Sequence, residues 1–413
     1  MEQTLDVYLH QHLVGNLIQN RYGEVVFTYQ EAWVENSYAI PLSHSLPLRK
    51  ETYKYRDCQG FFEGLLPEED NRKTLAALFG ISAKNDFALL EQIGWECAGS
   101  VTLLPAGMPL SEQVRDYKPI TEQELGAYLR DLPSRPLLAG KEEMRLSLAG
   151  TQNKMAIAID MGELYLPQGI SPSTHILKPD SSRYNGLVFN ESFCMRLARV
   201  LGLPTAKTET RRCEGIDYLL IERYDRFRSG ERTVHRLHQE DFCQALGISS
   251  DKKYQKEGGP TLQKCFQLVQ EVSHSPALER LTLLDGVIFN FIIGNNDAHG
   301  KNFSLLYEGA TGAKTSLAPF YDLVSTSYYS QLSENMAMKI GDEQILNKVV
   351  PRHFEQFAEK AGLNGRLVLQ RVRNLTRATL ANLPRVVTEQ AVEVQVARLI
   401  DKRCTHISQW FTS

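Results

Sequence analysis

Apolar and polar positions alternate at the start of the chain, where Leu5, Val7 and Leu9 recur every second residue, and Val25-Val26-Phe27-Thr28-Tyr29 is rich in strand formers. Both segments are predicted strands, because successive side chains of a strand point to opposite faces. Leu65-Leu66-Pro67 opens a predicted helix carried through Leu75, Leu78 and Phe79, and Val101-Thr102-Leu103-Leu104-Pro105 reads as a strand stopped by proline. Pro105 to Pro136 is a connection holding one short helix, Thr121 to Leu132, with Thr121 and Glu124 spaced as a capping box. Met155 to Ile159, His175 to Lys178 and Tyr218 to Ile221 are predicted strands, alternating with a helix near Phe193 to Leu201. Beyond about residue 260 the pattern turns helical, including Arg366 to Leu383 and Gln390 to Phe411. These elements predict an α+β fold: a mixed α/β subdomain over residues 1–140, an α+β lobe over 141–250 and a mostly helical lobe over 251–413.

Composition narrows the picture. A chain of 413 residues, 42% of them hydrophobic, can bury the core of two or three domains, and no repeat or low-complexity tract interrupts it. With 46 basic against 49 acidic residues the net charge is −3, so the totals do not indicate a dominant nucleic-acid-binding surface. Seven cysteines lie scattered without a C-x-x-C pair, which predicts buried, reduced thiols rather than zinc ligands or a disulfide framework. No basic segment leads into an apolar run at the N-terminus, and Asp285 and Asn290 interrupt the longest apolar stretch. The expectation is a cytoplasmic protein that does not span a membrane.

That apolar stretch, Leu283 to Ile293, ends at Gly294 as a buried helix does before a loop, and polar residues crowd in directly behind it. Asp297-Ala298-His299-Gly300-Lys301-Asn302 has the Asp-to-Asn interval of a protein-kinase catalytic loop, and Asp322 follows in Pro319-Phe320-Tyr321-Asp322. Phosphoryl transfer from ATP asks for an acceptor hydroxyl oriented by a carboxylate and for Mg²⁺ held against the phosphates. Asp297 suits the first task, and Asn302 with Asp322 the second. Phe303 to Tyr307 and Thr315 to Phe320 flank Glu308-Gly309-Ala310-Thr311-Gly312, a predicted hairpin between the two metal-binding positions.

Candidate nucleotide contacts lie upstream. Ala149-Gly150-Thr151-Gln152-Asn153-Lys154 precedes a strand, and its small residues let backbone N–H groups approach phosphate oxygens, although no G-x-G-x-x-G or Walker pattern is present. Lys178 ends an apolar strand, where a long cation can reach inward to phosphates. Glu191, at the opening of the next helix, is either its ion-pair partner or an acid favoured in a first helical turn. Glu222-Arg223-Tyr224 follow an apolar strand, as a segment reading the adenine edge would, and His299 and Lys301 can donate to phosphate oxygens. A metal-hydrolase reading of Asp297, His299 and Asp322 is disfavoured, since no second histidine occurs at ligand spacing and Asn302 is better explained by Mg²⁺ and ATP; a small-molecule phosphotransferase and a non-enzymatic scaffold that binds a partner protein and ATP stay open.

As an ordered set these residues resemble the HipA family, the serine/threonine kinase toxins of bacterial toxin–antitoxin operons. The likeness runs through Pro41-Leu42-Ser43-His44-Ser45-Leu46-Pro47-Leu48, Gly99 to Pro105, Ser147 to Lys154, Thr174 to Lys178, Glu222 to Asp225 and Gln239 to Gln244. Asp297 to Phe303, Phe320-Tyr321-Asp322 and Pro351-Arg352-His353-Phe354 complete it. The resemblance implies a two-lobed protein-kinase-like fold. Asp297 would be the catalytic base, with His299 and Lys301 at the phosphates and Asn302 and Asp322 on Mg²⁺. Ala149 to Lys154 and Lys178 would contact the ATP phosphates, Glu222 to Tyr224 the adenine, and Tyr321 the nucleotide. Ser147 would be the serine such kinases phosphorylate on themselves, ejecting the nucleotide loop. The family's protein substrates are aminoacyl-tRNA synthetases, chiefly glutamyl-tRNA synthetase, and its neutralising partner is a HipB-like helix-turn-helix antitoxin dimer on operator DNA. Glu359-Lys360-Ala361-Gly362 is less basic than the family's DNA-contacting stretch, so operator DNA is expected mainly through the antitoxin.

Overall fold

The structure, a computed structural model, describes residues 2–110, 115–140, 146–229, 233–308 and 314–411. It divides into two compact units: Met1–Pro179 with Arg211–Ser250 and Leu305–Thr315, and Asp180–Thr210 with Asp251–Ser304 and Ser316–Ser413.

The first unit is built on two antiparallel sheets. In the five-stranded one, Tyr53–Lys54, Val25–Tyr29, His12–Gln19, Gln3–Leu9 and Val101–Pro105 lie side by side in that order. The alternation read from sequence is what seats it, since Leu5, Val7 and Leu9 are all fully buried. The six-stranded sheet runs Thr208–Cys213, Ile216–Glu222, His175–Pro179, Met155–Asp160, Glu163–Gly169, Arg115–Pro119. Its last strand lies inside the stretch expected to be a connection; the segment's polar composition hides an edge strand that is specified by its pairing with Glu163–Gly169. The helix Glu122–Asp131 carries the expected capping box, with Thr121 and Glu124 bonding each other's backbone N–H.

One helix departs from expectation. Leu65-Leu66-Pro67 does not open a helix but separates two, Tyr55–Gly64 and Glu69–Phe79. Gly60 and Gly64 conceal the first from propensity reasoning, and packing explains them: a Cβ at Gly60 would run into the backbone of Gly247.

The second unit is mostly helical. Pro276–Ile293 is buried along Leu283 to Ile293, ends at Gly294 in a left-handed C-cap, and packs against Leu262–Val272, Gly365–Val386 and Ala391–Ser408. The polar interruptions of this apolar helix have partners. Asp285 takes both arms of the Arg371 guanidinium at 2.9 Å each, and the Asn290 amide donates to the Gly286 carbonyl at 2.9 Å. The expected hairpin is present as neighbouring strands Ser304–Glu308 and Lys314–Leu317, with Gly309 to Gly312 outside the described residues. All seven cysteines are buried and free, and burial pushes the thiols of Cys97, Cys194 and Cys265 up to about 12. Among the described residues no helix is long and apolar enough to cross a membrane.

Candidate active site

The buried helix Pro276–Ile293 hands the chain to a loop whose backbone is closed on itself. The His299 N–H donates to the Asp297 carbonyl at 2.8 Å and the Asn302 N–H to the His299 carbonyl at 3.0 Å, forming a 3₁₀ turn over Gly300–Asn302. Asn295 fixes the entry. Its Oδ1 accepts the Asp297 N–H at 3.1 Å, its Nδ2 donates to Asn290 Oδ1 at 2.8 Å, and the same nitrogen lies 3.5 Å from the Asp322 carbonyl. Asp297 is exposed and its Oδ1 accepts the Tyr254 hydroxyl at 2.8 Å; Asn302 is half-buried, while His299 and Lys301 are buried.

The segment carrying Asp322 is bound to this loop. The Tyr321 hydroxyl donates to the Lys301 carbonyl at 2.7 Å and accepts from the Ser304 hydroxyl at 2.6 Å, so the side chain expected at the nucleotide also braces the loop. Asp322 sits at φ +53°, a backbone region that side chains other than glycine and asparagine seldom occupy. Just beyond, Asn190 clamps Ser325, accepting its N–H at 2.9 Å and donating to its carbonyl at 3.0 Å. Asp297, Asn302 and Asp322 thus belong to one hydrogen-bonded assembly within the second unit. Among the described residues no three His, Cys, Asp or Glu side chains form a metal-binding group, so Asp297, His299 and Asp322 do not make a metal-hydrolase triad. Asn302 and Asp322 offer only oxygen donors, which fits a hard cation such as Mg²⁺.

The first unit holds the other expected residues. Ser147 is fully buried, its hydroxyl donating to the Leu65 carbonyl at 2.6 Å and its N–H to the Glu96 carbonyl at 2.9 Å. The loop after it is pinned: Asn71 Nδ2 donates to the carbonyls of Thr151 and Gln152 at 2.9 and 3.1 Å, and Lys154 folds back to the Ala149 carbonyl at 2.5 Å. Gly150 stands at φ +107°, and Asn153 is half-buried. Lys178 is buried on its strand, opposite Leu219. Glu191, in the second unit, is buried in the second turn of Leu187–Val200 and does not open that helix, so a first-turn dipole role does not apply.

Arg223, expected at the adenine, has a structural task as well. Its guanidinium is buried in an ionic cluster, bonding Glu96 at 3.2 Å and Asp225 at 2.8 Å, with Arg226 on the same two carboxylates, and the Arg223 backbone N–H donates to the Thr174 carbonyl at 2.9 Å. The side chain is therefore committed to holding the unit together. Burial alone would push the Asp225 carboxyl up, but the adjoining Arg223 and Arg226 outweigh it and hold the group well below the usual carboxylate range. Glu222 and Tyr224, the flanking residues, are only half-buried.

Comparison with known proteins identifies the family. The HipA N-terminal domain model matches residues 5–104 and the HipA-like C-terminal domain model matches residues 146–383. The chain belongs to the HipA family. It is 45% identical to the Y4mE protein of Sinorhizobium fredii, over 94% of this chain and 92% of that one. It is 31% identical to the serine/threonine-protein kinase toxin HipA of Shewanella oneidensis, over 94% of this chain and 89% of the toxin. A solved complex of HipA, HipB and operator DNA from Shewanella oneidensis MR-1 contains a chain of the same fold, with TM-score 0.85 and 28% identity, covering 98% of this chain and 99% of that one. The α+β fold with a mostly helical second unit is thus that of HipA.

Three residues that support the candidate site escaped sequence reasoning. Asn295 and Asn190 are ordinary amides in sequence, although the Gly294-Asn295-Asn296-Asp297 run was a signal that the loop needs side-chain support. Tyr254 gave none, since only folding brings it to Asp297.

Proposed function

We propose that this chain is a Mg²⁺-ATP-dependent serine/threonine protein kinase and a toxin of a toxin–antitoxin pair. The reading rests on one observation above all: an exposed Asp297 carboxylate whose backbone is fixed, through Asn295, to the segment bearing Asp322. Asp297 orients the acceptor hydroxyl and takes its proton as the oxygen bonds to the γ-phosphorus and the bond to the β-phosphate oxygen breaks, releasing ADP. Asn302 and Asp322 would hold Mg²⁺, which supplies charge neutralisation at the phosphates. Lys178 and the Ala149–Lys154 backbone hold phosphate oxygens, Glu222 and Tyr224 meet the adenine, and His299 and Lys301 stabilise charge on the transferred group.

Ser147 is the proposed site of self-inactivation. Its hydroxyl is fully buried against Leu65, so a phosphate cannot be added without unseating the segment. The acceptor protein is an aminoacyl-tRNA synthetase such as glutamyl-tRNA synthetase, and a HipB-like antitoxin dimer neutralises the kinase and carries it to operator DNA. The Shewanella complex, which contains HipA, HipB and operator DNA, supports that partnership.

Incubation of the chain with γ-labelled ATP and Mg²⁺ tests the reading. Label on protein serine, lost in Asp297→Gln, is the expected result, and a phosphoproteome of cells briefly expressing each version names the substrate. Label that goes only to an added sugar refutes it.

A further inference from the structure

Asp297 is exposed, and a carboxylate on a short side chain turns freely unless something holds it. Tyr254 does. We infer that Tyr254 is a positioning residue for Asp297, a role that rests on the kinase reading above.

The Tyr254 hydroxyl donates to Asp297 Oδ1 at 2.8 Å. With one oxygen engaged, the carboxylate plane is set and Oδ2 is left to meet an acceptor hydroxyl. The ring stands edge-on to His299, centroids 5.5 Å apart at 81°, so the same side chain also seats a second residue of the loop. The ammonium groups of Lys253 and Lys256 lie 5.5 and 5.9 Å from its centroid.

A positioning residue must itself be fixed. The Glu257 and Gly259 N–H groups both donate to the Tyr254 carbonyl, at 2.9 and 3.0 Å, closing the turn that carries it. Gln255 Oε1 accepts the Lys339 N–H at 2.8 Å and ties that turn to the strand Asn335–Ile340. Tyr254 thus reaches Asp297 from a separately anchored loop, and the hydrogen bond joins the two side chains.

The test is Tyr254→Phe, which removes the hydroxyl and keeps the ring against His299, read by single-turnover transfer of label from Mg²⁺-ATP to the chain itself, the maximal rate constant being taken as kcat and the half-saturating ATP concentration as KM. The expected result is a fall in kcat of roughly ten- to a hundredfold, with KM for ATP and the thermal midpoint unchanged. Tyr254→Leu, lacking the ring as well, falls at least as far. Wild-type kcat in Tyr254→Phe overturns the inference and leaves the kinase reading standing. A loss of kcat matched by a lowered thermal midpoint also overturns it, since the residue would then be structural. A wild-type chain that transfers nothing removes the kinase reading and this inference together.

Discussion

The side-chain oxygen of Asn295 accepts the backbone N–H of Asp297 at 3.1 Å, so the residue that ends the approach to the loop also fixes the backbone from which the carboxylate projects. The opposite end of the same amide donates to Asn290 at 2.8 Å, inside the buried helix. Replacing Asn295 by Leu leaves the Asn290 oxygen and the Asp297 N–H without this partner. The expected cost is about 1–3 kcal/mol of stability, read as a lower urea midpoint at constant slope, together with a kcat loss larger than the stability loss explains.

Asp297→Gln keeps the backbone bonds and puts a neutral amide, one methylene further out, in place of the carboxylate, so it cannot accept the acceptor's proton. Transfer is expected to vanish while ATP still binds, as isothermal titration would show. Asp322→Ala is the complementary variant, in which Mg²⁺-dependent nucleotide affinity itself falls. Near-normal affinity there would remove Asp322 from the metal role.

Gly286 lies directly beneath the Phe320 ring, where an added Cβ would overlap the ring atoms. Gly286→Ala is therefore expected to displace Phe320 and with it the neighbouring Tyr321 and Asp322. Overpacking of this kind costs about 1–3 kcal/mol, and a Tyr321 no longer able to reach the Lys301 carbonyl would show as reduced turnover at saturating ATP.

Glu240 is fully buried in the first unit, accepting bonds from the Ser43 and Tyr307 hydroxyls and the His44 N–H, and burial outweighs these donors to push its carboxyl up to about 7. In the unfolded chain a glutamate titrates near ~4.3, so between those values the folded form holds a proton that the unfolded form has lost. This contribution is fully present below the unfolded value and disappears as pH rises through about 7. The amount is on the order of 3 kcal/mol. Denaturation profiles of Glu240→Gln against wild type should differ in slope across that window and run parallel above it.

The cluster of Glu96 and Asp225 with Arg223 and Arg226 behaves in the opposite sense. Both carboxyls are held below their usual range, so their stabilisation is present at neutral pH and lost as pH falls through the folded values. Glu96→Gln removes a shared partner of two buried guanidiniums, an expected loss of about 3–5 kcal/mol, measurable by urea denaturation at neutral pH.

Much of this architecture was legible in the chain. Leu5, Val7 and Leu9 announced a strand by period, Thr121 and Glu124 a helix start by chemistry, and Gly294 a helix end by backbone freedom. In each case the signal lies within a few residues of its effect.

Sequence could not show that Gly60 sits inside a helix, that Arg115–Pro119 is a strand, or that the Arg223 guanidinium belongs to a buried ionic cluster. Those outcomes depend on Gly247, on Glu163–Gly169 and on Glu96, partners far away along the chain. Tyr254 and Asp297 are the sharpest instance. The residue types and local turns were written in the sequence, whereas the aim of the carboxylate was decided by a hydroxyl that only the packed second unit brings within reach, because hydrogen bonds depend on distance in space and not on separation along the backbone.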